Sequence, residues 1–402
     1  MVKRTFAPFI LTQFASITSV ISGSMVFIAI PWIALELVGS AATAGLVVAI
    51  TGIPGLIFAP LVGSVIDRFG RKRTAVWVEF LTAFTALLIP LVDWAIGLTI
   101  PLLIAIGIAR GVVAPGGGTA RKSLVPDVAE PAQMTLDRAN SIHEAIFAAG
   151  FAIGPALATF FIALIGSTNT FYVVALMGFL SALFAMLIFV TEKHEANDES
   201  EKEPFFIYAL QGFKILFSNP AVFVMMAAIM TLAVIYLPTE MVVLPAHFTA
   251  LGDPEGLGLV ISAGAGASVI GALGFEKLHK RFSYAAILRM AILGIGISMF
   301  PLSFLPPVPL MVVFFFFLGL AWGPLLPLLN TVIQKKIPAN KRGRVFALEM
   351  TIWHAGPLIS MYAVGSAVDA LGVGPVYLFL AAGVFAAALL VSFNRYIKQL
   401  NT

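Results

Sequence analysis

Five ionisable side chains stand inside long apolar stretches: Glu36, Glu79, Arg110, Glu240 and His354. A charge there costs at least ~2.5 kcal/mol to insert, so it faces a cavity or a partner. Each is therefore read as a candidate for proton coupling or substrate contact. Glu240 lies between Pro238 and Pro245. A buried carboxyl at this point could carry a proton or attract a cation; an acid exposed to outer water is the alternative. Glu36, at the outer end of its stretch, has the same two readings. Arg110 could tune an acid, hold an anionic group, or pair with Glu79 as a purely structural contact. His354 could titrate near neutral pH, or be a satisfied polar residue.

Aromatic residues are plentiful, with 34 Phe, and most must face lipid or pack between helices. Phe27, Trp32, Met225 and Met226 are candidates for the wall of an apolar cavity. Tyr236, Trp322 and Trp353 join them. Broad rings and flexible thioethers suit promiscuous hydrophobic ligands.

These residues must be positioned by a membrane protein. Of 402 residues, 60% are hydrophobic and 11% charged, against roughly 25% charged in a soluble domain. A soluble enzyme of this composition could not cover its surface. With no cysteine, disulfides, thiolate zinc sites and thiol nucleophiles are excluded. The run Gly116–Gly118 lacks the lysine of a phosphate-binding loop, so no ATP hydrolysis is expected. Five scattered histidines give no metal site, and no cofactor is implied. The basic loops follow topology and give no reason to invoke nucleic acid.

The first apolar run, 9–35, is too long for a cleaved signal segment. Five more follow at about 44–63, 74–93, 98–118, 142–165 and 170–191. After a polar stretch come six at about 220–244, 256–275, 285–305, 309–331, 345–368 and 374–394. The expected fold is an all-α polytopic membrane protein of twelve transmembrane helices in two pseudo-symmetric six-helix bundles. The bundles are 1–191 and 220–402, joined by a linker, 192–219, with a short amphipathic helix over 205–217. Twenty-three of the 24 Lys and Arg fall on one side of this arrangement; the last is Arg110. The other side carries acids such as Asp93, Asp253, Glu255 and Asp369. Both termini are thus expected in the cytoplasm.

The halves resemble each other. GIARGVVAPGGGTARKSLVP, from Gly107, and GLAWGPLLPLLNTVIQKKIP, from Gly319, share Gly, Gly, Pro, Thr and Pro at the same offsets. Gly154-Pro155 and Gly356-Pro357 form a second match. A duplicated six-helix unit is typical of secondary transporters.

GSVIDRFGRKR, from Gly63 to Arg73, joins the second and third spans. Gly63 permits close helix approach and Gly70 a tight turn. Asp67 can accept charge-assisted bonds from Arg68, Arg71 or an arginine on another helix. Such a pair would latch helices in one state and release them in another. This loop resembles the G-x-x-x-D-R-x-G-R-[RK]-x motif of the major facilitator superfamily. GFEKLHKRF, from Gly274, is a degenerate second copy with Glu276 in the place of the acid. Helix 5, with Gly150, Gly154 and Pro155, is similar to the superfamily's antiporter motif, although Ala158 and Thr159 replace its last glycines. Packing alone also explains these residues. Glu144 and Glu349 sit at helix ends and are expected to join a gate network with Arg71, Arg121 or Arg342.

VPDVAEPAQMTLDRAN, from Val125, and QKKIPANKRGRVFAL, from Gln334, resemble, less closely than the loop motif does, stretches of the multidrug and macrolide efflux branch. The resemblance implies a major facilitator fold and a transporter rather than an enzyme. The expected function is proton-coupled antiport of hydrophobic or cationic compounds. A dedicated exporter or flippase of one amphipathic metabolite, such as a siderophore or lysolipid, is the alternative. The expected partners are the lipid bilayer of the cell membrane, small substrates and protons. The chain is expected to act as a monomer.

Overall fold

The computed structural model describes residues 5–58, 62–134, 136–190, 213–337 and 339–401. All regular elements among them are helical. The first part holds α1 (Ala7–Val38), α2 (Ala41–Phe58), α3 (Val62–Phe69), α4 (Arg71–Ile96), α5 (Ile100–Val113), α6 (Pro115–Ala129), α7 (Leu136–Ile165) and α8 (Thr170–Met186). The second holds α9 (Pro220–Pro238), α10 (Leu244–Leu251), α11 (Pro254–His279), α12 (Tyr284–Leu302), α13 (Val308–Trp322), α14 (Leu325–Lys336), α15 (Ala339–Leu371) and α16 (Val373–Phe393). Between α9 and α10, Thr239–Val243 form a π-helical turn.

Ten segments among the described residues are long and apolar enough to cross a membrane. α8 is a shorter apolar helix, and α15 is a helix of 33 residues. Large apolar side chains such as Phe189, Leu273, Phe379 and Phe393 are 78–85% exposed. Hydrocarbon accepts such a surface, and helices satisfy their backbone groups internally there. Of the expected linker helix, residues 205–212 lie outside the described residues. Residues 213–217 are helical.

Three spans are interrupted where proline withholds an N–H. The fourth is divided into α5 and α6 before Pro115, and the tenth into α13 and α14 at Gly323-Pro324. The seventh is α9, the π turn and α10. Pro245 has no N–H for the Met241 carbonyl one turn earlier, and the wide turn lies at this point.

The chain forms two compact units: Met1–Val38 with Ile50–Glu201, and Gly39–Ala49 with Lys202–Thr402. In the first, α1 packs on α7 and α8, and α4 on α8. In the second, α9 packs on α15 and α16, and α12 on α16. Each unit thus joins its first helix to its fifth and sixth, and its third to its sixth.

The matched glycines sit at matched close approaches. Gly107 and Gly111 of α5 face Thr51 of α2, and a Cβ at Gly111 would stand 2.6 Å from the Thr51 carbonyl. Gly319 of α13 and Gly323 just after it face the carbonyls of Gly264 and Ser268 on α11. Gly154 of α7 faces Ser24 of α1, and a Cβ at Gly356 of α15 would stand 2.7 Å from the Val234 side chain of α9. The duplication is therefore a duplication of helix seams.

Three of the acids at span ends tie down backbone N–H groups, as carboxylates do at helix ends. Asp253 accepts from Gly256 at 2.8 Å at the start of α11, and Asp93 from Leu98 at 3.0 Å. Asp369 does the same for the start of α2.

Candidate functional site

Two polar clusters lie in the apolar spans, one in each unit. In the first unit, Glu79 of α4 and Arg121 of α6 are both buried and form an ion pair. Ser19 of α1 donates to the same carboxylate oxygen at 2.9 Å and accepts from Arg121 Nη2 at 2.8 Å. Three groups thus close a ring of hydrogen bonds. Arg110 of α5 is buried and donates to the Thr82 carbonyl at 2.8 Å. That carbonyl also accepts from the Thr85 hydroxyl. The direct Arg110–Glu79 pair left open by the sequence is not formed. The interruption before Pro115 resets the helix, and Arg121 of α6 takes the carboxylate instead. Glu79 remains within electrostatic reach of Arg110.

In the second unit, the π turn carries Glu240, which is half-buried and accepts a hydrogen bond from the Tyr236 hydroxyl. The Tyr236 ring lies 4.9 Å from that of Trp322 and 6.4 Å from that of Phe315. Tyr377 of α16 is fully buried and within electrostatic reach of Glu240. Its hydroxyl has no hydrogen-bond partner among the described residues. This is an acid with aromatic walls and two phenols, set on the kind of irregular turn that recurs at functional sites. It can hold a proton or balance a cation.

The family model described as Major Facilitator Superfamily matches residues 13–361 and 241–399. The chain belongs to this superfamily. It is 28% identical over 405 residues to the Multidrug efflux pump Tap of Mycolicibacterium fortuitum, covering 100% of this chain and 99% of that protein. It is 30% identical over 401 residues to the Multidrug efflux pump Tap of Mycobacterium tuberculosis (strain ATCC 25618 / H37Rv), covering 98% and 95%. The solved structure of nucleoside transporter NupG matches with a TM-score of 0.77 over 96% of this chain and 98% of that one. At 12% identity, that likeness is one of fold.

The major facilitator loop is partly in view. Gly70 adopts φ +86° and joins α3 to α4; its N–H donates to Ile66 at 2.8 Å and its carbonyl accepts from Thr74 at 3.1 Å. Arg71 pairs at 2.8 Å with Asp127 at the end of α6. Arg68 is exposed, 5.7 Å from the Phe69 ring. Gly63 and Asp67 lie in α3, and Trp353 and His354 in α15, but outside the described residues as far as their side chains go, as does Arg342.

The other candidates have these surroundings. Glu144 pairs with Lys122 at 2.6 Å, not with Arg71 or Arg121, because those two already hold Asp127 and Glu79. Glu276 pairs with Lys280 at 2.6 Å, one turn along its own exposed helix face, and so ties no second helix. Glu36 is exposed and accepts from Trp32 Nε1 at 2.6 Å and from the Ser167 hydroxyl. Trp32 is buried and tethered to Glu36. Met225 and Met226 are enclosed and fill the interior of their unit. Phe27 packs edge-on against Phe151 at 6.0 Å. Gly150 and Gly154 form a seam with α1, where the Ser24 hydroxyl reaches the Gly150 carbonyl at 3.2 Å; Pro155 is buried beside it.

Sequence reasoning missed Ser19, Asp127 and Tyr377. A serine or a phenol in an apolar run carries no charge signal. Asp127 was visible in VPDVAEP, but nothing local linked it to Arg71.

Proposed function

We propose that this chain is a proton-coupled antiporter that exports hydrophobic or cationic compounds, drugs among them, by alternating access. The observation that carries the reading is the Glu240 carboxylate on the π turn, bonded by Tyr236, whose ring lies 4.9 Å from that of Trp322. Ionised, Glu240 balances a lipophilic cation beside aromatic faces. Protonated from outside, it loses that charge and the cation leaves. Release of the proton to the cytoplasm resets the acid, so protons enter as the compound exits.

Nearly full-length similarity to proteins named as multidrug efflux pumps supports this reading. The one-sided distribution of Lys and Arg supports a plasma-membrane protein with both termini in the cytoplasm. The transporting species is a monomer. Its halves are 1–191 and 220–402, joined by the linker 192–219. The bilayer, small hydrophobic or cationic compounds and protons are its partners.

Efflux of a fluorescent lipophilic cation from cells expressing Glu240→Gln at the normal level tests the assignment. The variant is expected to lose proton-driven efflux. Wild-type efflux that collapses with a protonophore, in the variant as in the parent, would remove Glu240 from the scheme.

A further inference from the structure

The three consecutive glycines at the start of α6 differ in their surroundings. A Cβ at Gly117 would strike Glu79 Oε1 and come within 3.3 Å of Arg121 Nη1. One at Gly116 would meet Val78 at 2.9 Å, and one at Gly118 would meet nothing within 4 Å. The middle glycine alone opens the slot in which the carboxylate and guanidinium meet.

A buried ion pair is weak evidence for stability, because desolvating two charges offsets most of their attraction. Removing one partner is costly, since it strands the other. A pair set in an apolar bundle, with a slot for it, has the properties of a switch. Its hydrogen bonding is also incomplete: Arg121 Nε is buried and has no partner among the described residues. Arg110 of α5 acts on Glu79, and His143 of α7 lies within electrostatic reach of Arg121 and is flanked by Lys122 and Glu144. α1 contributes Ser19, and α8 contributes no charged side chain.

We propose that Glu79 and Arg121, seated by Gly117 and bridged by Ser19, form a second proton-exchange site, in the first unit. The proposal rests on the reading of this chain as a proton-coupled antiporter. A proton that binds a Glu79 oxygen forms an O–H bond and discharges the ion pair. Arg121 keeps Ser19 and is free to satisfy another partner. Loss of the proton restores the pair, and no further reactant is needed.

The test uses the full chain in proteoliposomes with a fluorescent lipophilic cation. Two quantities are read: accumulation driven by a pH gradient, and gradient-free counterflow of the same cation. Gly117→Ala is expected to lower gradient-driven accumulation at least about tenfold, and Gly118→Ala to stay within about twofold. In the double variant Gly117→Ala with Glu79→Asp, the shorter acid clears the new methyl and recovers much of the loss. Glu79→Gln keeps counterflow and loses the response to the gradient. Counterflow and gradient-driven transport falling together in both Glu79→Gln and the double variant would assign the pair a structural role and overturn the proposal. Wild-type gradient-driven transport by Glu79→Gln would overturn it too. Counterflow without any gradient response in the wild-type protein would overturn the antiport reading itself, and the proposal with it.

Discussion

Ser40 Oγ donates to Asp369 Oδ2 at 2.6 Å across 329 residues of sequence. The same carboxylate accepts the N–H groups of Ala41 at 2.7 Å and Ala42 at 3.0 Å. It thereby caps the first turn of α2 with a side chain from the end of α15. Ser40 Oγ in turn accepts from Thr43 at 3.1 Å. Two glycines bring the backbones together: a Cβ at Gly365 would strike the Ala41 carbonyl, and one at Gly45 the Met361 carbonyl. All these residues belong to the second unit.

Asp369 should make stability pH-dependent. Burial pushes its pKa up, but the bonds from Ser40, Ala42 and Ala41 outweigh that and hold it below its ordinary value. A carboxyl with a lowered folded pKa contributes stability above its unfolded value and loses it as pH falls through the folded one. Asp369→Asn should therefore cost up to about 1 kcal/mol at neutral pH, a small figure because the group is exposed. Thermal unfolding in detergent should show the gap closing below about pH 4. A gap that does not change with pH would contradict the capping role.

The paired glycine seams make unlike predictions. Gly107 faces the Thr51 side chain, whereas Gly319 faces the Gly264 backbone. Gly107→Ala should cost about 1–3 kcal/mol and be relieved by Thr51→Ala. Gly319→Ala should cost as much or more, with no side chain available to trim. Unfolding temperatures of the single and double variants decide it. Equal tolerance of both alanines would contradict the close approaches.

Tyr236 and Tyr377 should separate by function. Tyr236→Phe removes the donor to Glu240, worth about 1.5–3 kcal/mol for a bond to a charged group, and should move the pH profile of transport. Tyr377→Phe removes a hydroxyl without a partner among the described residues, and so should leave thermal stability unchanged or raised. Reduced transport in a Tyr377→Phe protein of full stability would place this phenol in the proton path.

The spans and the duplication were legible because they are written in local properties of the chain. Hydrophobic length gives the crossings, and Gly107, Gly111, Gly319 and Gly323 mark where helices must touch. Gly70 was legible for the same reason, since its positive φ is a local demand. Partner choice was not. Arg121 rather than Arg110 takes Glu79 because the chain is interrupted before Pro115, which changes the face each arginine presents. The role of Gly117 depends on a side chain from another helix and one from the next turn of its own, and that of Asp369 on a helix far away in sequence. Glu240 was found by its charge, but its π turn follows from Pro245 only once the helix is built.

The central claim is that this chain exchanges protons for a lipophilic cation. Its most direct test is accumulation of a fluorescent lipophilic cation by the purified protein in inside-acidic proteoliposomes, with Glu240→Gln in parallel. Accumulation that follows the gradient, collapses with a protonophore and is absent from the variant is the predicted result. Accumulation by the folded wild-type protein that ignores both the gradient and the protonophore would contradict it.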